Sequence, residues 1–348
     1  MVLILGVTAS GKGQLAFRLA ESLGAEIISI DSMKVYRRMD IGTAKPPKHV
    51  LAPPQVSSVE GEARERVRYH LIDVVEPSES FSVAAFLDLA YQAIEQIKSR
   101  NKPIIAVGGT ALYIKALLYG LFEGPGTDKQ IRAELKARAE AEGLTQLYRE
   151  LTLIDPVACE RISPNDAKRI IRALEVYQLT GKPISSLQKQ WPDSSCVVRR
   201  AYCVKDEDGK PKKQTRNTQY AIRNTKNDWT IIGLRREKAQ ESRRINTRVK
   251  KMIAAGLVDE VKSLLAEDRP LSPQARCAIG YAEIIDYLNG RQTFEEAVEL
   301  IKKNTRRLAK SQRTWFKTFP DVHWLDIKAE ESSEKIFDRT KKMLNDIK

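Results

Sequence analysis

The chain begins with an apolar run, a glycine-rich turn and a helix-like segment, MVLILGVTASGKGQLAFRLAESL. Val2–Gly6 predicts a short buried strand, and the apolar spacing of Leu15, Leu19 and Leu23 predicts a helix over Lys12–Leu23. A strand, a glycine-rich loop and a helix in this order form the context that a phosphate-binding P-loop requires. This feature constrains the fold most, because such a loop joins a parallel strand to a helix that packs on the sheet.

The loop itself differs from the P-loop motif at one residue. Gly6, Gly11 and Lys12 satisfy the pattern G-x-x-x-x-G-K-[ST], but Gly13 stands where the motif has a hydroxyl. Backbone amides from Thr8 to Lys12 would surround a diphosphate, which the N-terminus of the helix also attracts. Lys12 would add a positive charge at the outer phosphate. The alternative is a tight strand-to-helix turn without a ligand.

Gly13 removes the hydroxyl that normally contacts Mg²⁺ in such loops. A hydroxyl from Thr8, Ser10 or Ser32 could replace it, and spacing does not decide among them. We therefore expect Mg²⁺ as the cofactor, with Ser10 and Ser32 as candidate metal ligands.

Further strands alternate with helices along the first third of the chain. Glu26–Ile30, Leu71–Val75 and Pro103–Val107 predict strands, and Val83–Arg100 predicts a long amphipathic helix. This alternation predicts an α/β fold, a P-loop NTPase-like parallel sheet flanked by helices. In such sheets the ligand site lies at the carboxyl ends of the strands.

Two polar residues follow predicted strands and are candidates for chemistry. Asp31 could bind Mg²⁺ indirectly or accept a proton from a nucleophile, or it could cap a turn. Thr110 follows Gly108 and Gly109, and its hydroxyl could face the same cleft or cap the next helix.

From about Asp128 the sequence predicts helices without intervening strands, which indicates an all-helical lobe inserted into the α/β domain. Asn165 is the predicted N-cap of one of these helices and Gly181 its C-terminal stop. Cys196–Asn227 carries nine Lys or Arg residues against three acidic residues, which predicts a flexible basic loop. The predicted domains are the first part of the core at 1–127, the helical insertion at 128–191, the basic loop at 192–228, and the return to the core with C-terminal helices at 229–348.

The formal net charge of +14 and the pI of about 9.5 favour a polyanionic partner. Lys168 and Arg172 are spaced i, i+4, and Arg306, Lys310 and Arg313 form one helical stripe. Such stripes are either solvated faces or contacts with a phosphate backbone. The four cysteines form no C-x-x-C pair, so neither a zinc finger nor a disulfide framework is indicated. No apolar stretch is long enough to span a membrane, and we expect a cytoplasmic protein.

Eight segments form a set in chain order: GVTASGK, EIISIDSMKVYRRMDIGTAKP, HLIDVVEP, IIAVGGTALYIKALLYG, NDAKRIIRALEVYQLTGKP, RINTRVKKMIAAGLVDEV, AIGYAEIIDYL and AKSQRTWF. Together they resemble the tRNA dimethylallyltransferases, the isopentenyl-tRNA transferase family. The resemblance runs to about Leu325 and leaves out Cys196–Asn227. It implies transfer of a dimethylallyl group from dimethylallyl diphosphate to the N6 amine of the adenosine 3′ to the anticodon of tRNAs, with release of diphosphate.

The resemblance also implies roles for residues that match the family's motifs. It implies Asp31 as the catalytic aspartate, with Thr110 and Lys12 at the same site. The implied diphosphate-binding residues are Gly6, Thr8, Ala9, Ser10, Gly11, Lys12, Gly13, Lys238 and Arg244. The implied tRNA contacts are Asp31, Ser32, Met33, Lys34, Thr110, Arg132, Lys168, Arg169, Ile170, Ile171, Arg172, Arg276, Gly280, Tyr281, Lys310, Gln312 and Arg313. The helical insertion would close over the anticodon stem-loop, and we expect a monomer because that lobe must stay free to close.

The sequence departs from the family pattern mainly where phosphate and tRNA would bind. Gly13 replaces the P-loop hydroxyl, Lys34 replaces a glutamine and Lys238 replaces an arginine, which has a bidentate fork that lysine lacks. Two alternatives to an active prenyltransferase follow. One is a catalytically impaired tRNA-binding homologue, and the other is a P-loop kinase of nucleotides or small molecules. Gly13 argues against the kinase, because MgATP chemistry depends on the missing hydroxyl.

Overall fold

The structure is a computed structural model, and it describes residues 1–51, 67–121, 124–188 and 229–347. Contacts divide the chain into two units. Unit 1 consists of Met1–Leu118 and Asn224–Lys348, and unit 2 consists of Tyr119–Arg223. The predicted basic loop at 192–228 lies outside the described residues, and the predicted domain boundaries stay predictions.

A sheet of parallel strands forms the centre of unit 1. Its strands in the described ranges are β1 (Val2–Gly6), β2 (Glu26–Ile30), β3 (Tyr69–His70), β4 (Ile104–Gly108), β5 (Thr230–Arg236) and β6 (Val322–Ile327). Their order across the sheet is β3-β2-β4-β1-β5-β6, and every pair is parallel. The P-loop NTPase-like α/β fold predicted from the sequence is confirmed.

The helices surround this sheet and also form unit 2. They are α1 (Lys12–Leu23), α2 (Lys48–Leu51), α3 (Val83–Ser99), α4 (Ala111–Tyr119), α5 (Lys129–Ala141), α6 (Leu144–Ile154), α7 (Pro156–Cys159), α8 (Ala167–Thr180), α9 (Ile184–Leu187), α10 (Lys238–Ala254), α11 (Leu257–Leu265), α12 (Pro273–Arg276), α13 (Tyr281–Leu288), α14 (Phe294–Phe316) and α15 (Ser333–Ile347). None of those in the described ranges is long and apolar enough to cross a membrane.

Both edges of β1 are paired, one with β4 and the other with β5. Leu3, Ile4 and Leu5 have no exposed surface, which explains why the strand is apolar without alternation. Gly11 has a φ of 101°, a conformation that favours glycine, and α1 starts directly after it. The loop between β1 and α1 therefore lies at the carboxyl edge near the middle of the sheet.

The strand predicted over Leu71–Val75 was wrong. The structure places a two-residue strand at Tyr69–His70 instead. Leu71 and Asp73 have φ values of 62° and 57°, so the backbone leaves the extended conformation where the sequence predicted it to continue.

Unit 2 is helical in its described part. Leu135 of α5, Leu147 and Leu151 of α6, and Leu174 of α8 form its apolar core. The N-cap of α8 is Asp166, whose side chain accepts a hydrogen bond from the amide of Arg169, so the predicted cap at Asn165 was one residue early. Both residue types cap helices well, and the sequence does not distinguish adjacent candidates. Gly181 ends the helix with a φ of 65°, as predicted.

Gly108 is required by the close approach of β4 to the end of β2. A methyl group at Gly108 would lie 2.0 Å from the carbonyl oxygen of Ile30. We expect Gly108→Ala to lower the free energy of unfolding by about 2 to 3 kcal/mol, because neither paired strand can withdraw. Chemical denaturation measures this change. Gly126→Ala, whose methyl group meets no atom of the described residues within 4 Å, should change stability by less than about 0.5 kcal/mol. Equal stability of both variants would contradict the packing at Gly108.

Candidate active site

The carboxyl ends of β1, β2 and β4 open into one cavity of about 1300 Å³. Its walls come from the P-loop, from Asp31–Lys34 after β2, from Gly108–Thr110 after β4, and from α10 and α14. All of these belong to unit 1. The structure thus brings together the three groups of residues that the sequence placed at strand ends.

Two arginines hold the P-loop by its carbonyl groups. Arg244 Nε donates to the carbonyl of Ala9 at 2.7 Å, and Arg236 Nε donates to the carbonyl of Ser10 at 2.9 Å. In a planar trans peptide the carbonyl and the following N–H point in opposite directions. The amide of Gly11 therefore points away from the carbonyl that Arg236 binds. A second nitrogen of each guanidinium lies 3.7 to 3.8 Å from the position that a Cβ of Gly11 would occupy.

Thr8 is held by both its side chain and its backbone. Arg248 Nη1 donates to Thr8 Oγ1 at 3.1 Å, and the amide of Thr8 donates to Gln312 Oε1 at 2.8 Å. The other end of the Gln312 amide donates to the carbonyl of Gly109 at 2.8 Å. The P-loop is thereby tied to the turn after β4.

These contacts correct the prediction that every amide from Thr8 to Lys12 surrounds the anion. The amides of Thr8 and Ser10 already donate to acceptors within the protein. The amides of Ala9 and Gly11 have no such partner in the described part of the chain. Together with the unpaired amides of the first turn of α1, they are the donors that remain for a phosphate.

Three of the cations that line the cavity, Lys12, Lys34 and Arg248, are partly removed from water. Burial, together with the positive charges of Arg248 and Lys34, lowers the pKa of Lys12 to about 7, although the carboxylate of Asp31 acts in the opposite direction. Burial also lowers the pKa of Lys34 and that of Arg248, while the carboxylate of Asp31 raises both. These buried positive charges outnumber the carboxylate of Asp31 beside them, so this arrangement favours a bound anion.

Asp31 uses one carboxylate oxygen to stabilise its own turn. Asp31 Oδ1 accepts hydrogen bonds from the amides of Met33 at 2.9 Å and Lys34 at 3.2 Å. Asp31 lines the cavity, and its Oδ2 has no hydrogen-bond partner in the described ranges. The turn therefore fixes the carboxylate and leaves one oxygen for a proton or a ligand.

Thr110 contacts the loop after β2 and does not cap α4 with its side chain. Thr110 Oγ1 accepts from the amide of Ser32 at 3.1 Å and lies 3.5 Å from Ser32 Oγ. Both residues line the cavity beside Asp31.

The residues present fit only part of the predicted Mg²⁺ site. Ser10 is 1% exposed and does not line the cavity, so its proposed role as a metal ligand does not fit, although its hydroxyl has no partner in the described residues. Ser32, Thr110 and Asp31 offer oxygens inside the cavity. No group of three or more His, Cys, Asp or Glu side chains within the described ranges could hold a metal ion. This set fits a Mg²⁺ that takes most ligands from substrate phosphate and water.

Lys238 does not lie where the sequence predicted it. It is exposed at the start of α10 and does not line the cavity. Arg236 and Arg248 contact the P-loop instead, and sequence reasoning missed both. The signal was present, because Arg248 follows Arg244 by one helical turn and Arg236 ends the strand next to β1.

Among the predicted tRNA contacts of unit 1, Arg276 and Lys310 are exposed. Tyr281 is fully buried, and its hydroxyl donates to Glu260 at 2.6 Å, so its side chain is not available to a macromolecule in this arrangement. Gly280, with a φ of 97°, also lines the cavity. Arg313 and Gln312, also predicted to contact tRNA, instead bind groups of the protein. Arg313 forms an ion pair with the buried Glu241, and Gln312 makes the two bonds described above.

In unit 2, Lys168 and Arg169 are exposed on the first turn of α8. Ile170 and Ile171 belong to the core of the unit, so contacts of their side chains with tRNA do not fit.

Two further predicted tRNA contacts serve a buried carboxylate. Glu175 has no exposed surface and binds the guanidiniums of Arg172 and Arg132 and the amide of Asp128. Burial alone would raise the pKa of Glu175, but these donors hold it below its ordinary value. Arg132 and Arg172 are therefore committed to the packing of unit 2.

Comparison with known proteins gives a consistent result. Residues 34–198 and 192–319 match the profile of the IPP transferase family, and residues 1–54 match that of isopentenyl transferase. A tRNA dimethylallyltransferase of Geobacter metallireducens is 42% identical over 326 residues, which cover 94% of this chain and 92% of that protein. One from Caldanaerobacter subterraneus is 41% identical over 347 residues, with 97% and 96% covered. The crystal structure of full-length tRNA isopentenylpyrophosphate transferase from Bacillus halodurans has a TM-score of 0.63 and 36% identity, covering 99% of this chain and 95% of that one.

The similarity extends over the sheet with its P-loop and over the helices between β4 and β5. The chain therefore belongs to the IPP transferase family.

Proposed function

We propose that this protein transfers a dimethylallyl group from dimethylallyl diphosphate to the N6 amine of the adenosine 3′ to the anticodon in tRNAs, and releases diphosphate. The observation that carries the proposal is the joint placement, in one cavity, of an anion cradle and a carboxylate with a free oxygen. The family membership and the names of the relatives support the same activity.

The donor half of the reaction would use the P-loop. The allylic C–O bond breaks, its electron pair leaves with the diphosphate, and positive charge develops on the allylic carbon. The free amides of Ala9 and Gly11, the ammonium of Lys12 and the guanidiniums of Arg244 and Arg248 would stabilise the departing charge. Because these donors are fixed before the reaction, little reorganisation is required.

The acceptor half would use Asp31. The lone pair of the N6 amine forms the new C–N bond, and the amine loses a proton to Asp31 Oδ2. Thr110 and Ser32 hold the turn that carries Asp31. The adenine must leave the stack of the anticodon loop to reach this carboxylate, at a cost of about a few kcal/mol.

A bound Mg²⁺ would neutralise part of the diphosphate charge, with Asp31, Ser32 and Thr110 as the oxygens of the protein beside it. Among the predicted contacts, Lys168, Arg276 and Lys310 are exposed and available to the phosphates of a tRNA anticodon stem-loop, whereas the exposed Arg169 also pairs with Asp166 at 2.7 Å. We also propose that the chain acts in the cytoplasm as a monomer.

Asp31 supplies the first test. With dimethylallyl diphosphate, Mg²⁺ and a tRNA that has adenosine at this position, we expect prenylated tRNA from the natural protein. Asp31→Asn keeps the shape but removes the base, so we expect kcat to fall by about 10²- to 10⁴-fold. Mass spectrometry of the digested tRNA measures the product. If the natural protein gives no more prenylated tRNA than Asp31→Asn, the proposal is refuted. ATP turnover without tRNA would support the kinase alternative.

Gly13 separates an active enzyme from an impaired homologue. A Cβ at Gly13 would meet no atom of the described residues within 4 Å, so the first carbon of a threonine side chain has space. We expect Gly13→Thr to change kcat by less than about tenfold, or 1.4 kcal/mol, because the substrate and water supply the metal ligands. A larger increase would show that the natural protein is impaired.

Lys12 should make diphosphate binding depend on pH. Its pKa is about 7 in the free protein, and a bound diphosphate would raise it. Below pH 7 Lys12 is charged before and after binding, so it adds no pH dependence. Above pH 7 binding takes up a proton, and the affinity should fall by up to about tenfold per pH unit. Calorimetry with inorganic diphosphate in buffers of different ionisation enthalpy measures the uptake. Lys12→Arg is charged at every pH used, so its diphosphate binding should lack the proton uptake that Lys12 contributes. Equal proton uptake by the natural protein and Lys12→Arg would refute the prediction.

A further inference from the structure

Gln312 joins two turns that the reaction would use. It lies on α14, is 8% exposed, and uses both ends of its amide. Oε1 accepts from the amide of Thr8, and Nε2 donates to the carbonyl of Gly109, each at 2.8 Å. These turns follow β1 and β4, which are neighbours in the sheet. The hydrogen bonds of the sheet end with the strands. Beyond that point, the side chain of Gln312 fixes the distance between the turn after β1 and the turn after β4.

The surroundings require an amide at this position. A Cβ at Gly109 would lie 2.6 Å from Gln312 Nε2, so the turn approaches closely because it lacks a side chain. The position needs an acceptor on one side and a donor on the other, which glutamine has. A carboxylate would oppose the carbonyl of Gly109, and an apolar side chain would leave a buried amide and a buried carbonyl unpaired.

The two turns belong to the two halves of the site. Thr8 starts the loop whose free amides would hold the diphosphate. Gly109 precedes Thr110, which binds the amide of Ser32 in the turn of Asp31. A continuous chain of hydrogen bonds and covalent neighbours thus leads from the diphosphate cradle through Gln312 to the turn that carries the free carboxylate.

We propose that Gln312 is a positioning residue that sets the P-loop and the turn of Asp31 at the spacing that group transfer requires, and not a tRNA contact. This rests on the proposed function for the identity of the two halves. Oε1 and Nε2 of Gln312 each bind a backbone group of the protein, so at most one N–H and one lone pair of this buried amide are left for a nucleotide.

The first test uses Gln312→Met, which keeps the length of the side chain and removes both hydrogen bonds. We expect its Kd for inorganic diphosphate to rise at least tenfold, because the cradle is no longer held in its binding geometry. We expect its affinity for tRNA without donor to stay within twofold of the natural protein. Thr314→Ala is the matched control, since Thr314 is exposed on the same helix and its hydroxyl, among the described residues, donates to the carbonyl of Lys310. The Kd of this variant for diphosphate should not change.

The opposite pattern would overturn the proposal. A loss of tRNA affinity with unchanged diphosphate affinity would make Gln312 a tRNA contact, and no change in either would remove any role. Both measurements are independent of prenyl transfer. If the natural protein binds both ligands but yields no prenylated tRNA, the proposed function fails while the role of Gln312 in holding the cradle is still decided.

Gln312→Glu separates positioning from simple packing. A protonated glutamic acid has a donor and an acceptor like glutamine, whereas the carboxylate faces the carbonyl of Gly109 and the diphosphate. Burial raises the pKa of such a group. We expect the diphosphate affinity of this variant, relative to the natural protein, to recover at least fivefold between pH 8 and pH 5.5. The diphosphate affinity of Gln312→Met relative to the natural protein should not change with pH. If the diphosphate affinity of Gln312→Glu relative to the natural protein is the same at pH 8 and pH 5.5, the proposal is overturned. This test also decides the proposal if Gln312→Met does not fold.

Discussion

The site depends on hydrogen bonds between guanidinium groups and the carbonyls of the loop after β1. Arg236 and Arg244 hold the carbonyls of Ser10 and Ala9. Since a trans peptide directs its N–H opposite to its carbonyl, these bonds help to fix which way the loop amides point. The arginines come from β5 and α10, more than two hundred residues along the chain. The register of β5 on β1, which pairs Val2 with Thr230, is thus a condition for a working phosphate cradle.

The same arrangement concentrates positive charge that folding alone does not stabilise. Burial lowers the pKa of Lys12, Lys34 and Arg248, which means that their charged forms are destabilised by removal from water. Asp31 is the carboxylate that opposes them. A diphosphate would restore the balance, and a ligand that binds only the folded state would raise its stability accordingly. The electrostatic design of the cavity therefore favours diphosphate over a neutral ligand of similar size.

The parts of this structure that the sequence predicts are those set by local patterns. The strand Val2–Gly6, the helix Lys12–Leu23 and the stop at Gly181 follow from apolar spacing and glycine, and the structure confirms them. Other features depend on contacts between distant segments. Lys238 proved exposed, whereas Arg236 reaches the P-loop because β5 pairs with β1. The family motifs located the turns of the cavity, but they could not separate residues that would touch a substrate from those, such as Tyr281 and Gln312, that hold the turns.

Gly13 can now be interpreted through the chemistry of the leaving group. In phosphoryl transfer the P-loop hydroxyl holds the metal that bridges the phosphates near the breaking P–O bond. In prenyl transfer the breaking bond joins carbon to oxygen, and the diphosphate leaves as a whole, so total positive charge around it matters more than one fixed metal ligand. The cavity supplies that charge through Lys12 and the arginines, and the space beside Gly13 is open. A P-loop that lacks the hydroxyl but is surrounded by guanidiniums is consistent with binding a departing diphosphate and poorly suited to a phosphoryl donor.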